Sequence, residues 1–536
     1  MRLPRSGRWR AALALAASAM VVSACATPGA EPEQDAGQDP QYQVGIIGAD
    51  QQQGQPVDGG TLTIAAYSEA RSLDPAKTIP TGSSGGTALA AVYDVLMRYD
   101  PESGTYEPWL AESLESNADD TTWTLTLREG VRFSDGTPLD AKAVVGSIQR
   151  YMQKNGFGTK LLDASLERMR TPDPRTVLFE LTRPWAKFPN VLGAGAGMIV
   201  APAAYAGEQF TPIGAGPFQL ERYAPGEELV LAARAGYWQD TVHLDRLRFV
   251  WYQGPDAKLG ALRSGSVDMA YLRDPKAVDD ARAEGYGGYM AVNSLGNQIT
   301  INNREGTPGA DPRVRKAIAL ALRPELNYRR AYDGAGLPGK DIFQPASRWH
   351  VSGVTPPPTD TARARKLLEQ AKADGYDGTI SYLDSNDPAS RAEALAAKAA
   401  LEKVGFTVRL DFARSIAEQI KRIYVDHDYE LAKNATSVPE ADPLSRLYSF
   451  LHSESNTNPS GYANPRMDEL LVQLQAADSV EKRKAVLADI ERLWWQDVPS
   501  VPLGAAAQFM AWQDTVRGVV PTQYAMLLFG KAWVGK

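Results

Sequence analysis

The most informative run in this 536-residue chain is Trp123-Thr-Leu-Thr-Leu-Arg-Glu-Gly-Val-Arg-Phe-Ser-Asp-Gly-Thr-Pro138. Its start, Trp123–Leu127, alternates large apolar residues with threonine, which is the pattern of a half-buried β-strand. Ser134–Pro138 combines Asp-Gly with proline, which is typical of a turn. Asp140 can then cap a helix that continues to about Met152. A strand, a turn and a helix this close together predict a mixed α/β fold.

The same two periodicities alternate through the rest of the chain. Strand patterns occur at 61–65, 177–181, 228–232, 245–252, 298–302 and 509–512. Helical patterns occur at 87–97, 257–264, 311–322, 361–373, 390–404, 467–475 and 480–495. We expect Pro324 to end the 311–322 helix. Because no fixed repeat is present and the chain is too long for one core, an α/β protein of several lobes is predicted.

The first 25 residues have the sequence organisation of a secretory signal peptide. Four arginines precede an apolar run, Ala11–Val22, which is too short to span a bilayer as a helix. The run ends in Val22-Ser-Ala-Cys25, and Cys25 is the only cysteine of the chain. This end resembles the lipobox of bacterial lipoproteins, which implies lipidation at Cys25; the alternative is an ordinary signal peptide with a chance cysteine. Residues 26–58, rich in Pro, Gln and Gly, are expected to be a flexible linker.

Composition narrows the class of protein. The hydrophobic fraction of 43%, with 22 tyrosines and 11 tryptophans, is typical of a packed globular protein. Removal of residues 1–25 would shift the net charge from −7 to −11. This acidic balance argues against nucleic acid as a partner and against broad adhesion to anionic lipid.

No motif for catalysis or for a cofactor is recognisable. The four histidines, His243, His350, His427 and His452, lack the spacing of metal ligands. The chain contains neither a Gly-x-Ser-x-Gly nucleophile motif nor a phosphate-binding loop. Gly193–Gly197 lacks the full dinucleotide-binding spacing and is better interpreted as a connection. We therefore expect a protein that binds a solute without transforming it, and that needs no cofactor or metal.

Four blocks of the sequence, taken together, are similar to the sequences of one protein family. They are Gly59-Gly-Thr-Leu-Thr with Ser72-Leu-Asp-Pro75 and Pro108-Trp-Leu-Ala-Glu-Ser113; the run 123–138; Gly214-Ala-Gly-Pro-Phe218 with Pro225-Gly-Glu227 and Gly236-Tyr-Trp238; and Asp311-Pro-Arg-Val-Arg-Lys-Ala-Ile318 with Tyr462-Ala-Asn-Pro-Arg-Met-Asp468. In this order they resemble the family 5 extracellular solute-binding proteins of ABC importers, which include dipeptide- and oligopeptide-binding proteins. The resemblance covers the chain from about Gly59 to its end.

The resemblance implies an α/β, two-lobed, periplasmic-binding-protein-like clamp (type II, cluster C) with an extra third domain. Lobe I would comprise 59–91, 205–298 and 504–536, the extra domain 92–204, and lobe II 299–503. The crossings near 298–303 and 501–506 would form the hinge. The implied function is that of a lipid-anchored monomer on the extracytoplasmic face of the cell membrane. It would capture a peptide or peptide-like solute between the lobes and deliver it to ABC permease subunits.

Candidate ligand contacts also follow from the resemblance. They are Thr78, Ile79, Pro80, Thr81, Gly82, Ser83, Thr436, Ser437, Val438, Pro439, Glu440, Tyr462 and Asn464. Peptide-binding members often carry Trp-x-x-Asp before the position of Asp442-Pro443, and its aspartate pairs with the ligand amine. This chain has Thr436 and Pro439 there, so Glu440 would have to replace the aspartate, or is only a surface acid. Because an unpaired buried amine is costly, a blocked peptide or a non-peptide solute is also plausible.

Two other functions stay open at this point. A sensor that reports its ligand to a membrane signalling protein would need the same clamp, and a secreted hydrolase would need a nucleophile or metal motif that the sequence lacks. Nickel and haem are ligands elsewhere in the family, and the scattered histidines disfavour nickel.

Overall fold

The computed structural model describes residues 42–48, 54–239 and 241–535. Its strands are β1 Gly45–Ile47, β2 Thr61–Ala66, β3 Met97–Asp100, β4 Thr105–Pro108, β5 Ala111–Ser116, β6 Thr122–Leu127, β7 Leu166–Asp173, β8 Thr176–Leu181, β9 Phe218–Ala224, β10 Glu228–Ala233, β11 Arg246–Trp251, β12 Met269–Leu272, β13 Gly287–Ile301, β14 Leu337–Pro338, β15 Thr379–Ser385, β16 Thr407–Ala413, β17 Leu431–Asn434, β18 Ser500–Trp512, β19 Val516–Arg517, β20 Val520–Pro521, β21 Leu527–Leu528 and β22 Trp533–Val534.

The helices are α1 Gly86–Tyr93, α2 Ala141–Gln153, α3 Thr159–Ser165, α4 Pro189–Leu192, α5 Pro255–Arg263, α6 Pro275–Ala283, α7 Pro312–Ala321, α8 Pro324–Tyr332, α9 Thr361–Ala373, α10 Pro388–Lys403, α11 Ile416–Lys421, α12 Leu444–Leu451, α13 Pro465–Ala476 and α14 Val480–Asp497. Among the described helices, none has both the length and the apolar character that crossing a membrane requires. The predicted signal peptide and Cys25 lie outside the described residues.

The run 123–138 folds as its sequence predicts. Gly136, at φ +84°, closes the turn by donating its backbone N–H to the carbonyl of Phe133 at 3.0 Å. The carboxylate of Asp140 accepts a hydrogen bond from the backbone of Ala143 at 2.8 Å and so caps α2. β6 joins the four-stranded sheet β5-β6-β8-β7, which is separate from the main sheet. Trp123 and Phe133 are buried in the core beneath it, which makes them structural residues.

The largest sheet follows the order β16-β15-β17-β13-β18-β12-β2-β11-β10-β9. Its centre is the antiparallel pair of the long strands β13 and β18, in register from Gly287 opposite Trp512 to Thr300 opposite Ser500. The register shifts between Asn293 and Gln298. This irregular segment divides the sheet into two halves that share the same two strands.

Each half of this sheet has its own hydrophobic core in the described part of the chain. Leu62, Phe249 and Met510 belong to one core, whereas Ile318 and Tyr382 belong to another. Two cores joined through two continuous strands form a two-lobed α/β protein, and the separate four-stranded sheet adds a third domain.

Asp94 joins several of the sequence blocks. It follows α1 at φ +59°. Its carboxylate accepts hydrogen bonds from Trp109, from Tyr237 at 2.7 Å and from Trp238 at 3.0 Å. Burial raises the pKa of Asp94 to about 6 despite these donors. The tryptophan of the Pro108 block and the Tyr-Trp of the Gly236 block therefore have a structural role.

Two local predictions were wrong in extent. The helix expected over 87–97 ends at Tyr93, because Asp94 takes a positive φ of +59° that a right-handed helix does not allow. The 311–322 helix does end before Pro324, and Pro324 then begins α8, since proline is well suited to the first turn. The strand expected over 298–302 is the end of the 15-residue strand β13.

The chain already packs on the sheet before the predicted first strand. β1 pairs antiparallel with β13, and Ile46 lies opposite Tyr289. The ring of Tyr42 is buried, and its hydroxyl accepts a hydrogen bond from the backbone of Gly336 at 2.8 Å. The prediction of a flexible linker over 26–58 is therefore wrong at 45–47, where the backbone pairs with β13 and Ile46 and Ile47 pack against hydrophobic cores.

Candidate ligand-binding site

A cavity of about 360 Å³ lies where six distant segments meet. Its walls are Val44 before β1, the end of β3 with the β3–β4 turn, residues 289–293 of β13, the loop at 346–348, the loop at 439–441 and the turn at 522–525. This volume falls in the range that small-molecule sites occupy. The segments come from the large sheet, from the separate two-stranded sheet β3-β4 and from loops after β14 and β17, so a ligand here would contact parts of the chain that are far apart in sequence.

Two other cavities are less suitable. One of about 640 Å³ is lined only by residues between Gly306 and Glu430, on one half of the sheet. Another, of about 30 Å³, lies beside Gly82 and Tyr271 and is apolar. The first joins no separate domains, and the second has room for little more than a water molecule.

The predicted segment 436–440 crosses the irregular part of β13. The backbone N–H groups of Thr436 and Ser437 both donate to the carbonyl of Leu295 at 3.0 Å, and Val438 pairs with Ser294. Thr436 and Val438 are buried. From Pro439 onward the segment lines the cavity, so only the last two predicted positions of this group reach it.

Glu440 and Arg348 lie together on the cavity wall. The Glu440 carboxylate accepts a hydrogen bond from the backbone of Arg348 at 3.1 Å. The Arg348 guanidinium instead donates to the hydroxyl of Tyr99 at 3.0 Å. Burial raises the pKa of Glu440, and hydrogen bonds from Ser347 and Arg348 counteract part of that rise. Glu440 therefore lies on the cavity wall close to two positive charges of the protein, those of Arg348 and Lys484.

The predicted loop 78–83 lies behind the 522–525 turn. Thr78 is buried, and its hydroxyl donates to the carbonyl of Ser72 at 2.6 Å. Gly82 packs so closely on Ala525 that a Cβ would lie 2.0 Å from its carbonyl oxygen. Ile79 is 48% exposed. The loop therefore supports a wall of the cavity without lining it.

Tyr462 and Asn464 lie elsewhere. The Tyr462 hydroxyl and the Asn464 amide both donate to the carboxylate of Asp497 at 2.7 Å, at the end of α14. The Asn464 side chain also caps α13. Neither residue lines the cavity.

The turn at 522–525 carried no recognisable signal in the sequence. Tyr524 and Ala525 both have φ +56°, which is uncommon for residues other than glycine. Gln523 is held by the side chains of Tyr106 and Asn190 at 2.8 Å. The contacts that build this wall join residues more than 300 positions apart in the chain, so local patterns do not predict them.

A buried cluster of charges surrounds Lys433 of β17. Lys433 pairs with Glu393, whose carboxylate also accepts from Asn297 at 2.6 Å. Burial raises the pKa of the neighbouring Asp384 to about 6, although the charge of Lys433 opposes this rise. The Lys433 charge is therefore balanced within the protein.

These features define a class of protein: a two-lobed α/β protein with an extra domain and with a cavity where distant segments of the chain meet. The model of the bacterial extracellular solute-binding proteins, family 5, matches residues 105–458. The chain belongs to this family. It is a solute-binding protein and not an enzyme.

The comparisons include relatives of known ligand class. The glutathione-binding protein of Escherichia coli K12 is 26% identical over 456 residues, covering 82% of this chain and 88% of that protein. A probable peptide ABC transporter periplasmic-binding protein of Sinorhizobium fredii is 27% identical over 499 residues, covering 85% and 90%. A periplasmic binding protein of Helicobacter pylori, solved with the peptide STSA, has a TM-score of 0.75 and 22% identity, covering 90% and 99%. The structural likeness shows the periplasmic-binding-protein fold with its extra domain.

Proposed function

We propose that this protein captures a peptide or peptide-like solute in the 360 Å³ cavity and delivers it to the permease of an ABC importer. The observation that carries the proposal is the cavity itself, whose lining residues 99–102, 289–293, 346–348, 439–441 and 522–525 fall in the proposed extra domain and in both proposed lobes. A ligand bound there favours one relative position of the domains. The peptide class is supported by relatives named for glutathione and for peptides.

The domains are assigned accordingly. Lobe I comprises 59–91, 205–298 and 504–536, the extra domain 92–204, and lobe II 299–503. The separate cores at Phe249 and at Ile318 support two lobes. We assign the hinge to the two crossings at 298–303 and 501–506, next to the register shift in β13.

Ligand contacts are proposed at Pro439 and Glu440, with support from Thr78–Ser83 behind the wall. Glu440 is the candidate partner for a free amine. A solute without an amine would leave Glu440 to its hydrogen bond with Arg348.

The anchor is proposed to be a lipid on Cys25, which would hold the monomeric protein on the extracytoplasmic face of the membrane. Its basis is the arginine-rich start and the Val-Ser-Ala-Cys end of residues 1–25.

The test of the binding function is a thermal shift measured on the chain from residue 26 onward. We expect a tripeptide library or spent growth medium to raise the melting temperature. Mass spectrometry of what co-purifies with the protein from its own host would then identify the ligand. The absence of any shift with both mixtures would contradict the proposal.

A further inference from the structure

A short apolar segment interrupts the polar stretch before β2. From Tyr42 to Gly48 the chain carries no charged residue and no proline, and three of its residues, Val44, Ile46 and Ile47, are β-branched. The residues on either side are rich in Gln, Gly and acidic side chains. Because β-branched residues suit an extended, half-buried strand, this segment can bind the edge of a sheet, whereas its neighbours cannot.

The edge that it occupies belongs to the central strand β13. The strand β18 runs along one side of β13; on the other side β17 covers 298–301 and β1 covers 288–290. Successive side chains of β1 point to opposite faces of the sheet, so Ile46 packs against one hydrophobic core and Ile47 against another. The segment is therefore held both by backbone pairing and by apolar contacts on the two faces.

Tyr42 fixes the segment at its start. Its ring is buried in the same core that Ile47 contacts, and its hydroxyl donates to the carboxylate of Asp279 on α6 while it accepts from the backbone of Gly336 at 2.8 Å. Gly336 also packs on α6, since a Cβ on it would lie 2.9 Å from the Cβ of Pro275. Asp279 belongs to the proposed lobe I and Gly336 to the proposed lobe II. One side chain thus binds to both.

Val44 carries the segment to the cavity. It is one of the residues that line the 360 Å³ space. Because Gly45 lies opposite Met290, the same antiparallel register brings Val44 beside Ala291, which also lines the cavity. Gln43, the preceding residue, is exposed and is not part of the lining. The segment thus presents one apolar side chain to the space in which the solute is proposed to bind.

We propose that residues 42–47 are an N-terminal strap that completes the ligand site: Tyr42 fixes the strap across the two proposed lobes, and Val44 is a wall against which the captured solute packs. The strap rests on the proposed binding function and adds a specificity-determining contact to it. Since valine has no polar side-chain atom, it limits the size of the solute and covers an apolar part of it. A bound solute should shield residue 44, and a larger residue there should exclude the solute.

The first test measures whether a bound peptide shields residue 44. The chain from residue 26 onward contains every described residue and no cysteine, because Cys25 is the only one. Val44→Cys therefore introduces a single thiol, and Gln43→Cys is the matched control. After refolding to remove bound solute, we expect a saturating tripeptide library to slow thiol labelling at least about fivefold at position 44 and less than about twofold at position 43.

The second test fills the cavity from the strap. Calorimetry with the same tripeptide library should show at least about tenfold weaker binding to Val44→Trp than to the wild type. Gln43→Trp places the same bulk one residue away, outside the cavity, and should bind within about twofold of the wild type. Melting temperatures without peptide show whether each variant is folded, and the thiol labelling decides if Val44→Trp is not.

Three results would overturn the strap as a wall of the site. They are equal labelling of residue 44 with and without peptide, equal slowing at positions 43 and 44, and wild-type affinity in Val44→Trp. If the peptides still raise the melting temperature in these cases, the proposed binding function stands and only the contact at Val44 is lost. A wild type whose melting temperature no peptide raises, together with no shielding at residue 44, would overturn both.

Discussion

Among single residues, Glu440 shares the lining of the cavity with two other charged side chains, Glu102 and Arg348. If Glu440 is the partner of a ligand amine, Glu440→Gln should weaken binding of peptides with a free amine by about tenfold or more. N-acetylated peptides should bind as before, because they carry no charge for Glu440 to balance. Calorimetry with matched free and acetylated peptides measures the difference.

Glu369→Gln, on the exposed face of α9, is the control for that substitution. Equal losses for the free and the acetylated peptide would show that Glu440 shapes the wall and does not recognise an amine.

Glu491 links stability to pH. It is 5% exposed, and burial together with the charge of Asp341 raises its pKa from 4.5 to about 8. Because the folded state holds the proton more tightly than the unfolded state, its contribution is complete below about pH 4.5 and is lost as the pH rises through 8. Glu491→Gln should therefore stabilise the protein at pH 8 by about 3 kcal/mol and have little effect at pH 5.

Thermal melts of the wild type and Glu491→Gln at the two pH values test this. If the difference in melting temperature between the wild type and Glu491→Gln were the same at pH 5 and at pH 8, Glu491 would be ruled out as the titrating group.

Among elements, the irregular segment of β13 has no room for a larger residue at Gly296. A Cβ on Gly296 would lie 2.2 Å from the backbone nitrogen of Ala506 and 2.3 Å from its Cβ. Since backbone atoms must move to accept it, Gly296→Ala should lower the stability by about 1–3 kcal/mol. Differential scanning calorimetry measures the loss.

Gly260→Ala is the matched control, because Gly260 lies within α5 and a Cβ there meets no atom within 4 Å. It should be neutral or stabilising by up to about 1 kcal/mol. Equal melting temperatures for the two variants would contradict a tight crossing of β13 and β18.

The helices and strands also show which parts of the fold the sequence patterns can predict. The α9 helix, Thr361–Ala373, was predicted to the residue, because its cap and apolar face are local. β13 was predicted only at its end, since Gly287, Gly288 and Gly296 disfavour a strand and the pairing with β18 is what holds them extended. Pro439 and Glu440 were candidates through the resemblance to peptide-binding proteins, whereas no pattern in the sequence pointed to Arg348 or to the 522–525 turn.

For the whole molecule, the proposed anchor predicts location. Cys25→Ala should move the protein from the membrane fraction to the soluble extracytoplasmic fraction, because no acylated residue then holds it. Its thermal shift with ligand should be unchanged, and ligand uptake by the cells should fall. Fractionation followed by immunoblotting tests location, with Ser23→Ala as a control that retains the cysteine. A variant that stays with the membrane would contradict the lipid anchor.

Because β1 pairs with β13, the chain between the proposed anchor at Cys25 and the folded part of the protein is shorter than the sequence alone predicts. If the folded part began at β2, the 35 residues from Cys25 to Gly60 would span about 120 Å when fully extended. Val44 already lines the cavity, so only 19 residues separate Cys25, the proposed lipidation position, from the cavity, and their greatest reach is about 65 Å. A permease whose entrance stood farther than this from the bilayer could not receive the solute.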